Sequence, residues 1–330
     1  MIKRLAKKYE LITKIDEYAK DRKAAGEILP FGKIGMRMAA ILDYVFYGTS
    51  FSEYFAYRFY ALNRKEKKTF MTRRFMFKFF DKYNPPSLRE RIGDKRLTKQ
   101  YYGELMKRDQ FTYEKGFEEF CIFAQNHHKL FIKRAISWGG MGAYVADVSS
   151  PDKYREVWDK LNEDCVIEEC TENCETIKRI YPQSLNTIKV LTLNLQDGPE
   201  IQTALFRMGN NTIVDNVHLG GICALVDISS GVVISKAIDN HFREYTHHPI
   251  TGYQIVGFCI PRWEEVKQLA LRAASITLSL RYASWDIAVT ESGPILIEGN
   301  WDAEFYAEQM ISQKGNRIRF YNKLEKKSDS

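Results

Sequence analysis

The segment from Ser284 to Asn300 constrains this 330-residue chain more than any other. Ser284-Trp285-Asp286-Ile287-Ala288-Val289 and Gly293-Pro294-Ile295-Leu296-Ile297-Glu298-Gly299-Asn300 read as two short strands joined by a turn. Side chains two apart on a strand share a face, so Glu298 and Asn300 point the same way, and pairing of the two strands brings Asp286 beside them. Oxygen donors without His or Cys suit Mg²⁺, which keeps several waters and takes one or two carboxylates plus substrate phosphates. The segment therefore predicts a magnesium–nucleotide site. The competing reading is an ordinary hairpin with Asp286 at a strand edge and Glu298 in solvent.

The length allows one large or two to three smaller domains. No apolar run approaches the roughly eighteen residues of a transmembrane helix, and Met1 to Glu10 lacks the apolar core of a signal peptide, so a cytosolic protein is expected. Six cysteines with no CxxC pair argue against a disulfide framework or a zinc knuckle; Cys165, Cys170 and Cys174 are expected to be structural or free thiols. The net charge of +7 is uneven, because residues 1 to 130 carry 28 basic against 16 acidic side chains. Such a region suits an anionic partner, a membrane surface or a phosphorylated glycolipid, or is simply a solubilising helical face. Its interleaved aromatic residues lack an RNA-binding signature, so no nucleic acid is expected.

Residues 1 to about 82 read as helical. Aromatics at 54, 55, 57, 59 and 60 are too dense for one stripe and predict a helix buried on most sides, followed by a solvated connection over residues 64–68. Asn84-Pro85-Pro86 ends this region, because proline cannot continue a helix. Further on, the pattern predicts a helix over 111–125, strands over 129–133 and 143–146, a helix opened by Ser150-Pro151 and a strand over 165–169. Beyond Pro182 strands are expected over 187–195, 201–208, 222–226 and 232–236, then an amphipathic helix over 263–280 that leads into the closing hairpin.

Lys133 ends a hydrophobic strand, and the glycine-rich turn Ser137-Trp138-Gly139-Gly140-Met141-Gly142 follows. Glycines let a backbone approach a phosphate closely while a nearby lysine supplies countercharge, although the order is not that of a P-loop. The strand from Cys165 runs into Glu168-Glu169-Cys170-Thr171, whose backbone suits an adenine rim, and Glu175 suits ribose hydroxyls. Lys189, Arg207 and the loop Asp215-Asn216-Val217-His218-Leu219-Gly220-Gly221 suit phosphoryl oxygens and the charge that develops during their transfer.

Taken in order, lysine before a glycine turn, a strand with an acidic exit, Arg207, the Asn-x-His-x-Gly-Gly loop, Asp286 and Glu298-Gly299-Asn300 resemble the ATP-grasp superfamily over roughly residues 90 to 310. The Asn216 loop is similar to that of glutamate ligases that modify a ribosomal protein. Ser184 to Lys189, Val214-Asp215-Asn216, Gly220-Gly221-Ile222, His248-Pro249-Ile250-Thr251-Gly252, Trp285 to Ala288 and Gly293 to Asn300 more closely resemble the sugar-transfer-associated ATP-grasp family found with bacterial cell-surface polysaccharide genes. The aromatic segment from Tyr47 to Tyr60 is similar to that family's leader region.

The resemblance implies an α+β ATP-grasp fold, two subdomains gripping ATP between them, behind an N-terminal helical region. It divides the chain into a basic helical region 1–90, a small subdomain 91–183 with the glycine-rich loop, a large subdomain 184–322 with the metal site, and a tail 323–330. It implies that Lys95 and Lys133 hold phosphates of ATP beside Gly139, Gly140 and Gly142, that Glu168 to Thr171 line the adenine, and that Glu175 holds the ribose. Asp286, Glu298 and Asn300 match the metal ligands, for Mg²⁺ or Mn²⁺. Arg207 and Lys189 would stabilise the transferring phosphoryl group, with Asn216 and His248 on the acceptor side. His248 is read either as a substrate-binding base or as a loop-structuring residue. Position 284 is serine where some superfamily members carry arginine, and position 189 is lysine where arginine is usual, which keeps the charge and loses the bidentate fork.

The implied reaction is an ATP-dependent ligation of a small-molecule carboxylate to an amine through an acyl phosphate, with a sugar or glycolipid-linked precursor as substrate. A phosphotransferase on the same scaffold and a non-catalytic adaptor of glycan-assembly machinery are the alternatives. The basic N-terminal region would contact the inner face of the cell membrane or a glycosyltransferase.

Overall fold

The computed structural model describes residues 2–136, 142–303 and 305–325, with side chains from Ile12 onward. Seven helices come first: α1 (Ile2–Ala24), α2 (Lys33–Tyr47), α3 (Phe51–Ala56), α4 (Arg64–Lys67), α5 (Arg73–Tyr83), α6 (Pro86–Gly93) and α7 (Lys95–Met106). The dense aromatic segment is largely buried as expected, with Tyr54, Phe55, Tyr57 and Phe59 in a cluster with Ile15, Met36 and Phe70. Tyr60 is only half-buried, however, and the segment is not one helix: α3 ends at Ala56 and a separate 3₁₀ turn covers Phe59–Ala61. The capping box of Ser50 with Glu53 starts α3, and the box of Asn63 with Glu66 starts the single exposed turn α4. Asn84 does end α5, but the prolines open a new helix, because Pro86 occupies a first-turn position where no N–H is needed. Asn84 is fully buried and pins this joint to the body: its amide donates to the carbonyls of Tyr282 and Trp301.

A four-stranded antiparallel sheet follows, built from β1 (Gln110–Thr112), β2 (Lys129–Arg134), β3 (Tyr144–Asp147) and β4 (Cys165–Glu169) in the order β1-β4-β2-β3. α8 (Phe117–Gln125) and α9 (Asp152–Trp158) cover it through Phe120, Tyr154 and Val157, which pack on Leu130, Ile132 and Ile167. The helix expected over 111–125 is thus shorter, since Phe111 and Thr112 pair with β4. Pro151 caps α9 rather than occupying its first position.

After the single turn α10 (Glu175–Lys178) comes a seven-stranded antiparallel sheet: β5 (Thr187–Leu195), β6 (Gly198–Met208), β7 (Ile222–Val226), β8 (Ala237–Ile238), β9 (Glu244–Tyr245), β10 (Tyr282–Thr290) and β11 (Gly293–Asn300), in the order β11-β10-β5-β6-β7-β8-β9. The strand expected over 232–236 is absent: Val232 and Val233 make isolated bridges to Cys259 and Val226, and the ladder resumes at Ala237. α11 (Trp263–Ile276) ends four residues earlier than expected and buries Val266, Ala270, Ala273 and Ala274 against one face of the sheet. On that face lie Ile188, Val190, Ala204, Phe206, Trp285 and Ile287. Alternation therefore sends Lys189, Arg207, Ser284 and Asp286 to the opposite face. α12 (Tyr306–Ser312) and α13 (Arg317–Glu325) return to pack on α3 and on the aromatic cluster around Phe79, Tyr282 and Phe305. Helices plus antiparallel sheets make this an α+β protein. Among the described residues no helix is long and apolar enough to cross a membrane.

Candidate active site

The closing hairpin sets the acidic end of the site. Asp286 pairs directly with Glu298 across β10 and β11, Ser284 pairs with Asn300, and on its other side Asp286 pairs with Lys189 of β5. Glu298, Asp286 and Lys189 therefore form one row across three strands. Two carboxylates facing each other across a ladder repel unless cations intervene. Lys189 Nζ lies 2.7 Å from Asp286 Oδ1 and Arg207 3.2 Å from Oδ2, while Lys95 Nζ approaches Glu298 at 3.9 Å.

Arg207 sits diagonally to this row, opposite Thr187. Its guanidinium also meets Asp215 at 2.8 Å, and Asp215 in turn accepts hydrogen bonds from the backbone N–H and hydroxyl of Thr187. Burial alone would weaken the charge on Arg207, but Asp215, Asp286 and Glu298 outweigh it and hold the guanidinium more firmly protonated than usual. The following loop folds tightly enough that a Cβ at Gly221 would come within 2.5 Å of the Asp215 carbonyl oxygen, so only glycine fits.

The small sheet supplies the facing wall. Lys133 on β2 and Glu168 on β4 pair at 2.8 Å, both almost completely buried, and Arg108 meets the other oxygen of Glu168 at 2.9 Å. Arg108 reaches further, donating to the carbonyls of Leu296 and Ile297 on β11 at 2.6 and 2.7 Å. One guanidinium thus ties the small sheet to the strand that carries Glu298. Burial would raise the pKa of Glu168, but Arg108 and Lys133 overcome it and lower the value to about 2.

Between these walls lies a cavity of about 480 Å³. Lys95, Lys133 and Arg207 line it with Asp286 and Glu298, as do Glu168 to Thr171 and Asn216. Phe131, Val145 and Ile297 give it an apolar side suited to a flat ring. Asn300 faces a neighbouring cavity of about 400 Å³, which shares Lys95 and Glu298 with the first.

A family model described as sugar-transfer associated ATP-grasp matches residues 74–326, most of the chain and all of both sheets. The chain belongs to the sugar-transfer associated ATP-grasp family. Solved structures similar to this family member include the ATP-grasp ligase PsnB complexed with minimal precursor (13% identity, 71% of this chain and 61% of that chain, TM-score 0.40). They also include N5-carboxyaminoimidazole synthase from Aspergillus clavatus in complex with ADP and 5-aminoimidazole ribonucleotide (12%, 74% and 55%, 0.45). A third is D-alanyl-alanine synthetase A from Vibrio cholerae O1 (14%, 68% and 60%, 0.41). The chain thus spans less than two thirds of the length of each of these three. No curated protein matches it.

Within the ATP-grasp frame, most of the expected site residues meet at the main cavity, and some do not. Gly139 and Gly140 lie outside the described residues; Gly142 has a left-handed φ of 77° and does not line the cavity. Glu175 is exposed at the start of α10, where its N–H donates to Glu291, and Glu172 and Asn173 line the cavity in its place. His248, one candidate for a substrate-binding base, is buried: its ring stacks on Tyr181 with centroids 5.0 Å apart, and Nε2 is 2.8 Å from the Gly209 carbonyl oxygen. Burial depresses its pKa below the ordinary histidine value despite the Gly209 carbonyl, which favours the neutral ring, and the ring's contacts are with Tyr181 and Gly209. Asn216 lines the cavity while its side-chain oxygen caps the turn at His218. Glu168 lines the cavity and also pairs with Lys133, which fixes the orientation of the lysine. All six cysteines are free thiols.

The donor set fits a hard cation. Asp286 and Glu298 are adjacent carboxylates already balanced by lysine and arginine, with the Asn300 amide two residues along the same strand. No cluster of three or more His, Cys, Asp or Glu side chains competes for a metal among the described residues. Arg108 lies outside the sequence motifs, and Asp215, inside Val214-Asp215-Asn216, carries no signal of its own there for its pairing with Arg207.

Proposed function

We propose that this protein is an ATP-dependent carboxylate–amine ligase acting on a sugar or sugar-linked precursor of a cell-surface polysaccharide. The observation that carries the reading is the convergence of Lys95, Lys133 and Arg207 with Asp286 and Glu298 around one cavity between two antiparallel sheets, with Lys189 ion-paired to Asp286. Cations of this number beside two carboxylates suit a polyphosphate and its metal better than a neutral ligand. The family name supports the sugar connection, and the choice of carboxylate and amine rests on the ligase reading itself.

In this reading Lys133, oriented by Glu168, and Lys95 bind the phosphates of ATP, and the segment from Glu169 to Thr171 borders the base. Asp286, Glu298 and Asn300 would hold Mg²⁺, which supplies charge neutralisation at the β- and γ-phosphoryl oxygens. An oxygen of the substrate carboxylate attacks the γ-phosphorus and the bond to the ADP oxygen breaks, leaving an acyl phosphate. Arg207 and Lys189 stabilise the oxygens of the transferring group, exchanging part of their contact with Asp286 for it. The amine then attacks the acyl carbon, inorganic phosphate leaves, and the amine proton passes to solvent.

The test is ADP release by the purified protein with Mg²⁺–ATP and paired panels of uronic acids and amino acids. Release that requires both a carboxylate and an amine is the expected result. Release driven by a hydroxyl acceptor, with phosphate retained on the product, would replace the ligase by a kinase.

A further inference from the structure

α2 is amphipathic in the reverse sense. Its one carboxylate, Asp43, points inward to a buried ion pair with Lys67 at 2.7 Å, and Met36 and Ala40 also face the core. Ile34, Met38, Ile41, Leu42, Val45 and Phe46 face outward, with Ile34, Met38 and Phe46 exposed by 60–73%. Their spacing of three and four makes one continuous apolar stripe along the helix. At the C-terminal end Arg74 donates to the carbonyls of Tyr44 and Val45, and Arg73 lies over the exposed ring of Phe77 at 5.6 Å. Ile28, 96% exposed, and Phe31 extend the apolar surface before the helix starts.

The charges around the stripe decide what covers it. Residues 31 to 80 hold ten Lys and Arg against three Asp and Glu, namely Asp43, Glu53 and Glu66. Asp43 is buried in its ion pair, Glu53 is buried in the α3 capping box, and only Glu66 is exposed. Asp16 from α1 offsets Lys33 and Arg37 at the N-terminal end, whereas Arg73, Arg74 and Lys78 at the other end are exposed. A second copy of this chain would bring two such basic rims together, which repels. An apolar helical face rimmed by basic side chains matches the boundary of an anionic bilayer, where acyl chains take the apolar residues and headgroups take the cations.

We propose that α2 docks the protein peripherally on an anionic lipid bilayer, its outer stripe entering the interfacial layer while Arg73, Arg74 and Lys78 meet the headgroups. The surface is separate from the nucleotide cavity, and the inference does not depend on the ligase reading.

The test is co-sedimentation of the full chain with mixed phosphatidylcholine–phosphatidylglycerol vesicles and with pure phosphatidylcholine vesicles. The wild type is expected to bind the anionic vesicles, more weakly as salt rises, and to bind neutral ones poorly. Ile41→Asp should lower the partition coefficient about ten-fold or more by placing a charge in the apolar stripe. Arg73→Ala and Lys78→Ala should each lower it about five-fold and flatten the salt dependence. All three positions are exposed, so thermal melting should match the wild type and separates loss of docking from loss of fold. Failure to bind anionic vesicles, or binding that Ile41→Asp leaves unchanged, would overturn the proposal. Concentration-dependent dimerisation abolished by Ile41→Asp, without vesicle binding, would also overturn it and make the face a contact between copies.

Discussion

Replacing Arg108 tests how the two halves of the site are held in register. The side chain is buried, and its guanidinium closes an ion pair with Glu168 and two hydrogen bonds to the Leu296 and Ile297 carbonyls. Removing one partner of a buried pair costs about 3–5 kcal/mol, because the remaining charge is left under-compensated. Here Lys133 still faces Glu168, which lowers that figure, while two buried carbonyls lose a charged donor at about 1–3 kcal/mol each. These terms share one side chain and do not add in full, so Arg108→Ala should cost about 4 kcal/mol, a large part of a typical domain's total stability. Arg108→Lys keeps the charge but cannot serve three acceptors at once, and should cost about 2 kcal/mol. Urea unfolding followed by tryptophan fluorescence measures both, and nucleotide affinity measured calorimetrically should fall for Arg108→Lys, since Lys133 and Glu298 lose their common tie. A loss below about 1 kcal/mol for Arg108→Ala would refute the clamp.

Other consequences follow from the same geometry. Glu168 has a folded-state pKa of about 2 against an ordinary value of 4.5, so the folded state binds fewer protons. Its contribution is complete above about pH 4.5 and is lost as the pH falls through about 2; acid titration of Glu168→Gln should show a shallower decline in that window than the wild type. His248→Phe should cost about 1–3 kcal/mol through the unpaired Gly209 carbonyl and leave the pH profile of ADP release unchanged. A lost alkaline or acid limb would instead make His248 a proton carrier. Glu298→Gln should abolish ADP release while shifting the melting temperature little, because the side chain is partly exposed and its nearest lysine is 3.9 Å away. Measurable turnover at saturating Mg²⁺–ATP would count against its role as a metal ligand.

The hairpin was legible because both its pattern and its chemistry are local: alternation gives the faces, and the register then puts Asp286 opposite Glu298. Lys133 was legible for the same reason, as a charge at the end of an apolar strand. Arg108 was not, since Lys107-Arg108-Asp109 looks like a solvated turn and the carbonyls that bury it lie nearly two hundred residues away in the chain. His248 invited a chemical role because a histidine beside proline in a family motif carries no mark of burial; Tyr181 and Gly209, distant in sequence, decide its environment. Glu175 opens α10 and faces solvent, whereas Glu172 and Asn173, earlier in the irregular segment after β4, line the cavity, and sequence spacing alone does not tell these positions apart. The strand expected over 232–236 was overread because Val232-Val233-Ile234 has strand composition, while its neighbours in space offer only single bridges.

In the proposed reaction ATP activates a carboxylate at Arg207 and Lys189 before an amine attacks. The most direct measurement uses a turnover-competent carboxylate labelled with ¹⁸O in both oxygens, followed by mass spectrometry of the inorganic phosphate released. An acyl phosphate predicts one ¹⁸O atom transferred to phosphate for each amide formed. Label that appears in AMP, or phosphate carrying none while product forms, would contradict it.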